Sequence, residues 1–83
     1  MSALRWRRNA RGHLQEVPAR LRERILRATH PLAEFPRMGV AIAADPPGQR
    51  RLVVAGWSIV YIHDEVQDVV SVLALVMPGA LLR

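Results

Sequence analysis

The chain has 83 residues, a formal net charge of +5 and no cysteine, and its twelve lysine-or-arginine positions are all arginine. This length fits one small domain, residues 1–83, and the lack of cysteine excludes disulfide and thiolate chemistry. The longest apolar run is too short to cross a bilayer. We therefore expect a cytoplasmic protein with no leader peptide and no membrane association.

The positive charge is concentrated in the first half of the chain. Residues 1–37 carry nine arginines against three glutamates, whereas residues 38–83 carry three arginines against four acidic residues. Guanidinium groups bind phosphate and carboxylate oxygens in pairs. The first half therefore predicts a nucleic acid or an acidic protein segment as the partner. A domain of this size buries only about 60% of its unfolded surface, which also favours a partner.

A short strand and a first helix begin the chain. Residues 3–6 read as a strand that places Leu4 and Trp6 on one face. Asn9 is expected to cap a helix that begins at Ala10. Leu14 and Val17 then lie on one side of this helix.

The second helix is predicted from Pro18, which is tolerated in a first turn, to about His30, because Pro31 should kink or end it. An apolar stripe at helical spacing faces the core: Leu21, Ile25, Ala28 and Leu32. An arginine stripe lies beside it: Arg20, Arg24 and Arg27. Glu16–Arg20 and Glu23–Arg27 are spaced to form ion pairs along the helix.

Three apolar runs of strand length follow the turn at residues 45–48. Residues 52–55 and 57–62 are too close together for a crossover, so they must pair antiparallel. Residues 69–76 form the last strand, after a polar loop at 63–68. The helices cover either the face with Trp57, Ile59 and Tyr61 or the face with Val60 and Ile62. The fold class is α+β, an N-terminal helical hairpin packed on a small antiparallel β-sheet.

Few residues indicate acid–base or metal chemistry. His63, Asp64 and Glu65 are typical of a solvated turn, and three isolated histidines predict neither a metal site nor a cofactor. Tyr61 is expected to be a core aromatic with a tethered hydroxyl rather than an acid.

Four motifs in this order resemble the RelE/ParE superfamily of toxins from bacterial type II toxin–antitoxin modules. They are Trp6 with Ala10, residues 32–39 (LAEFPRMG), residues 47–54 (PGQRRLVV) and residues 56–61 (GWSIVY). The strand motifs look like the ParE branch, and the short interval from Ala10 to Pro18 looks like the RelE branch. ParE-like chains tend to end the last strand with histidine and arginine, and residues 76–80 here carry neither.

The resemblance implies a toxin that inhibits DNA gyrase and bacterial growth, and that forms a hetero-oligomer with a cognate antitoxin. An alternative is a RelE-like endoribonuclease that cuts messenger RNA on the ribosome. Arg51 falls near one basic position of that branch, but Ser58 stands where a catalytic arginine would be expected. We therefore expect that the chain is not an enzyme. If it is one, the activity expected is this endoribonuclease, with Arg51 as a catalytic residue. A third alternative is an inactive remnant that only binds antitoxin. The candidate residues for antitoxin or target binding are Arg7, Arg8, Arg11, Arg20, Arg24, Arg27, Arg50 and Arg51.

Overall fold

The computed structural model describes residues 2–79. Its elements, in chain order, are β1 (Ala3–Trp6), α1 (Arg8–Glu16), α2 (Ala19–Thr29), a 3-10 turn (His30–Ala33), β2 (Val40–Ala41), β3 (Gln49–Val54), β4 (Trp57–Asp64) and β5 (Val69–Val76). The two helices and the three long strands confirm the predicted α+β class. β4 runs two residues further than predicted, so His63 and Asp64 belong to a strand.

The five strands form one sheet in the order β1-β5-β4-β3-β2. β3 and β4 pair antiparallel, as predicted, and so do β4 and β5. β1, however, pairs parallel with β5, so the sheet is mixed and the expectation of a wholly antiparallel sheet was wrong. The helical hairpin and the strands β2, β3 and β4 lie between β1 and β5 in the chain. Together they bring β5 back beside β1 in the same direction, which gives a parallel pair.

The hairpin between β3 and β4 has a two-residue loop, Ala55–Gly56. Both residues have positive φ, 51° and 83°, which matches the twist of the flanking strands. Glycine tolerates this conformation freely, whereas Ala55 adopts it at some cost. This short loop fixes the register of β3 against β4.

The helices cover the sheet face that carries Ile59 and Tyr61, the first of the two predicted alternatives. Ile25 and Leu32 from the helical region are fully buried in the same core as these two strand residues. Leu21 and Ala28 of the apolar stripe are partly buried against this core. We call this side of the sheet the helix face, and the other side the open face.

A bulge in β5 changes which of its side chains reach the core. Tyr61 pairs with Val72, but Val60 pairs with Ala74, so Leu73 is an extra residue. One extra residue reverses the alternation of every side chain after it. Leu75 therefore joins Val72 in the core, whereas simple alternation had placed these two residues on opposite faces.

The caps of α1 differ from the prediction. The helix begins at Arg8 without a side-chain cap, and the Asn9 amide instead donates to the carbonyl of Leu73 at 3.1 Å.

At the C-terminal end of α1, Arg22 of α2 donates to three carbonyls, those of Leu14, Gln15 and Val17. A guanidinium group suits these carbonyls at the negative end of a helix dipole. Arg22 thus ties the two helices together at their corner.

Pro18 and Pro31 act as predicted. α2 begins one residue after Pro18 and ends at Thr29, where the 3-10 turn takes over. No helix within residues 2–79 is long and apolar enough to cross a membrane.

Candidate functional site

The arginine stripe of α2, which consists of Arg20, Arg24 and Arg27, lies on the outer face of the helix. All three residues are exposed, and within residues 2–79 none of them makes a salt bridge. The expected ion pairs Glu16–Arg20 and Glu23–Arg27 do not form. For the first pair the reason is that Glu16 is the last residue of α1, whereas Arg20 belongs to α2. The stripe therefore presents three hydrated positive charges to any partner.

The candidate arginines near the N-terminus are also exposed. Arg7 precedes α1, and Arg8 and Arg11 lie in its first turn. Arg11 donates to the carbonyl of Trp6 at 3.3 Å. These positive charges lie at the positive end of the α1 dipole, where cations are disfavoured and anions are favoured. An acidic group bound here would relieve that repulsion.

Arg50 and Arg51 lie on opposite faces of the sheet. Arg50 is paired with Tyr61 on the helix face, and its Nη1 donates to the carbonyl of Gly39 at 2.8 Å. Arg51 is paired with Val60 on the open face. Arg50 therefore supports the fold in the unbound protein, whereas Arg51 is available on the open face.

The open face gathers two more arginines at its other edge. The parallel pairing of β1 places Arg5 beside Ser71, and Arg5 and Arg7 line a hollow of about 260 Å³ with Ile62. The sequence reasoning missed Arg5, because its position follows from the pairing of two strands more than sixty residues apart. Asp64 lines the same hollow, so this edge of the open face holds a carboxylate beside two guanidinium groups.

The buried phenol of the chain lies on the other side of the sheet, on the helix face. The single tyrosine, Tyr61, is 1% exposed on the helix face. Its hydroxyl donates to the Pro36 carbonyl at 2.7 Å and accepts from the Gly39 amide at 2.8 Å. Burial raises the pKa of Tyr61 above its ordinary value, against smaller opposing effects of Gly39 and Arg50. The Tyr61 hydroxyl is tethered, as expected. It holds residues 34–39, which we call the strap, and donates its proton to the Pro36 carbonyl.

The three histidines also lie off the open face. His13 and His30 are exposed in the helical region, and His63 is paired with Val70, a core residue of the helix face. Within residues 2–79, no three acidic or histidine side chains come together as metal ligands do.

His63, Asp68 and Ser2 form a cluster that ties the start of β1 to the turn between β4 and β5. One oxygen of Asp68 accepts from the Ser2 hydroxyl and lies 3.1 Å from Nε2 of His63. In a catalytic triad the imidazole uses one nitrogen for the carboxylate and the other for the hydroxyl. Here Nε2 of His63 faces both groups, because the Ser2 hydroxyl oxygen lies 3.4 Å from the same nitrogen that contacts Asp68. The cluster is therefore a structural clip.

The clip makes a prediction about pH. The hydrogen bond from Ser2, and then that involving His63, hold the pKa of the Asp68 carboxyl below its ordinary value of 3.8. A lowered folded-state pKa adds stability above the unfolded-state pKa, and this stability is lost as pH falls through the folded-state pKa. In a carbon-13 NMR titration, the Asp68 carboxyl should titrate below 3.8, and Ser2→Ala should raise its midpoint. A midpoint at or above the ordinary value would contradict this account.

An apolar groove of about 480 Å³ lies where the corner between α1 and α2 meets the start of β4 and the end of β5. Trp57 and Leu75 from the strands and Val17 and Pro18 from the helical corner line it. Met77, which is 60% exposed, also lines it. His13 and Glu16 supply its polar lining. The sequence reasoning missed this groove, because its walls come from three distant stretches of chain.

Comparison with known families and structures gives consistent results. The model of the family described as "ParE toxin of type II toxin-antitoxin system, parDE" matches residues 4–76. A comparison with curated protein sequences finds no match.

Three solved structures illustrate the structural similarity. A chain of the intact E. coli RelBE toxin–antitoxin complex has a TM-score of 0.82 and 17% identity, covering 95% of this chain and 99% of that chain. The isolated E. coli RelE toxin has a TM-score of 0.83 and 17% identity, with coverages of 95% and 86%. A chain of the chromosomal ParDE system from P. aeruginosa has a TM-score of 0.78 and 17% identity, with coverages of 95% and 98%. At these identities the matches establish a shared fold.

Proposed function

We propose that this chain, which belongs to the ParE toxin family of type II toxin–antitoxin systems, inhibits DNA gyrase and is neutralised by a cognate antitoxin. The family membership rests on a match over residues 4–76. The structural neighbours named above include toxin–antitoxin complexes, which supports an antitoxin as the partner.

The arrangement of Arg51 and Tyr61 favours gyrase over messenger RNA as the target. Cleavage of RNA needs a base, an acid and cations around one phosphate. Arg51 is on the open face, but Tyr61 is locked on the helix face. Ser58, which stands where the resemblance would place a catalytic arginine, is 7% exposed. Arg51 and Tyr61 are therefore separated by the sheet, and the carboxylate on the open face is that of Asp64, which lines the hollow with Arg5 and Arg7. The separation of Arg51 from Tyr61 supports a toxin that acts by binding.

The target is tested with purified components. The protein should inhibit supercoiling by gyrase, or trap cleaved DNA on it, and should leave messenger RNA intact on translating ribosomes. Codon-specific cuts that disappear in Arg51→Ala but persist in Arg27→Ala would replace this proposal with the endoribonuclease alternative. Activity in neither assay, from a folded protein, would favour the inactive remnant.

The antitoxin is proposed to bind through an acidic segment that folds as it binds. Such a segment would neutralise part of the excess of nine arginines over three glutamates in residues 1–37. It would also add apolar contacts to a small core. The exposed arginines of α2 and of the N-terminal region are the candidate contacts for this segment.

The stripe predicts a salt-dependent association rate. Exposed charges at an interface accelerate encounter more than they prolong the complex. Changing Arg20, Arg24 and Arg27 together to alanine should slow association with the antitoxin most at low salt and change dissociation less. The difference from wild type should shrink as the Debye length falls from about 10 Å at 0.1 M salt to about 3 Å at 1 M.

Stopped-flow binding measures this effect, and the triple lysine variant is the matched control. Lysine keeps the three positive charges but not the guanidinium geometry, so the control should associate nearly as fast as wild type. If the alanine variant associates at the wild-type rate in low salt, the stripe is an ordinary hydrated surface.

A further inference from the structure

Two hollows adjoin at the strap. The smaller one, of about 270 Å³, is lined mainly by polar groups and contains Arg50. The larger one, of about 600 Å³, is lined mainly by apolar groups and contains Phe35 and Met38. Four residues line both hollows: Pro36, Arg37, His63 and Glu65. Because the hollows share these walls, a single ligand is able to occupy both.

Arg50 presents a fixed guanidinium group to the smaller hollow. The side chain is half-buried, and its Nη1 donates to the Gly39 carbonyl at 2.8 Å. Gly39 is itself held by the Tyr61 hydroxyl. Within residues 2–79, Arg50 forms no salt bridge and no second hydrogen bond, so Nε and Nη2 keep their donors for a ligand. A guanidinium group that is fixed in advance loses little conformational freedom when it binds an anion.

The charges of the smaller hollow favour an anion. Arg37 and Arg50 are both positively charged, whereas Nε2 of His63 is already engaged in the clip. Among the described residues, Glu65 is the one carboxylate in this lining. It lies 4.0 Å from Arg37, and the two side chains are 75% and 83% exposed. So exposed a pair contributes little stability, and a phosphate is able to replace Glu65 as the partner of Arg37.

The larger hollow offers a surface for a planar ring. Phe35 is 57% exposed and Met38 is 43% exposed, and every nucleobase has a face that stacks on an aromatic side chain. Glu34 and Glu65 also line this hollow, and their carboxylates accept hydrogen bonds from amino groups or hydroxyls. The same carboxylates would repel an acidic peptide. The volume lies in the range of about 300–1,000 Å³ that is typical of small-molecule sites.

We propose that the two hollows bind a nucleoside monophosphate, with its phosphate on Arg37 and Arg50 and its base on Phe35. The site lies apart from Arg51 and the open face, because Arg50 and His63 belong to the helix face. It goes beyond the proposed function and depends neither on gyrase nor on an antitoxin. Its failure would therefore leave the proposed function standing.

Isothermal titration calorimetry of the full chain measures this binding with three probes: adenosine 5′-monophosphate, adenosine and inorganic phosphate. The monophosphate should bind at least about tenfold more tightly than either of the others, because it joins two groups that each fill one hollow. In NMR spectra, the monophosphate should shift the backbone amide signals of Gly39 and His63. The amide of Gly12, which lies in α1 away from both hollows, should not move.

Four variants separate the contributions of the two hollows. Arg37→Ala should weaken binding of the monophosphate about tenfold. Phe35→Ala should weaken it about fivefold or more and leave binding of phosphate unchanged. Glu65→Gln should tighten binding about twofold or more, because it removes the competitor for Arg37.

Arg20→Ala is the matched control, because it removes the same charge as Arg37→Ala from an exposed position that lines neither hollow. Its effect should be less than about twofold. Circular dichroism confirms that each variant is folded.

The contrary results are distinct. No heat and no amide shifts with the monophosphate would reject the site. Equal affinity for the monophosphate and for phosphate would reject the base-binding hollow. Equal losses in Arg37→Ala and Arg20→Ala would show that only the net charge of the chain attracts the anion. Tighter binding of a single-stranded oligonucleotide without a terminal phosphate would assign the hollows to a nucleic-acid strand instead.

Discussion

Replacing Ile25 by alanine is expected to lower the free energy of unfolding by about 2–5 kcal/mol. Ile25 is fully buried among Leu32, Ile59 and Tyr61, so it joins the helical hairpin to the sheet. Shortening it removes buried apolar surface and leaves a cavity that rigid neighbours cannot fill. An ordinary domain of 83 residues has a total stability of roughly 4–12 kcal/mol, so the variant should lose a large part of its stability.

Leu26→Ala is the matched control for this prediction. Leu26 is the next residue of the same helix and is 42% exposed, so its truncation should cost much less. Urea unfolding followed by circular dichroism measures both variants. Equal losses of stability would show that Ile25 is not at the helix–sheet interface.

Replacing Gly39 by alanine is expected to destabilise the strap and the edge of the sheet by about 1–3 kcal/mol. An added Cβ would lie 2.7 Å from the Tyr61 hydroxyl oxygen and 2.8 Å from the Arg51 carbonyl oxygen. Both distances are shorter than real Cβ contacts, and a backbone carbonyl cannot swing aside. The strap would have to move, and the hydrogen bond from the Gly39 amide to Tyr61 would weaken.

Gly12→Ala is the matched control, because Gly12 lies within α1 and an added Cβ would meet no atom within 4 Å. It should stabilise the protein by about 0.5–1 kcal/mol through helix propensity. Tyr61→Phe should not rescue Gly39→Ala fully, since the contact with the Arg51 carbonyl remains. Opposite signs for the two alanine variants in thermal unfolding support the account, and a neutral Gly39→Ala would show that the strap is not packed tightly against Tyr61 and Arg51.

The features that could be predicted from the sequence depend on neighbouring residues. Periodicity located α2, and the two prolines marked its beginning and end. Two apolar runs, residues 52–55 and 57–62, predicted the antiparallel hairpin because only Gly56 separates them. In the structure Ala55 belongs to the loop rather than to the strand. The sequence did not decide which side of the sheet the helices cover, because both faces of β4 carry apolar residues.

The features that the sequence did not reveal depend on distant contacts. The bulge at Leu73 arises from the pairing of β5 with β4 and cannot be read from the alternation of β5 alone. Arg5 reaches the open face through a parallel pairing. The sequence analysis assigned no role to Arg22, which caps the neighbouring helix. The candidate site shows the same division: the arginine stripe follows from helical spacing, whereas the groove lined by Trp57 is a product of the whole fold.

Growth of a bacterial culture after induction of this chain tests the central claim most directly. The chain is induced alone and together with the neighbouring reading frame, and Ile25→Ala serves as the unstable control. We predict that the chain alone stops growth, that co-induction restores growth, and that Ile25→Ala is much less toxic. Undisturbed growth in cells that accumulate the folded chain would contradict the assignment of an active toxin.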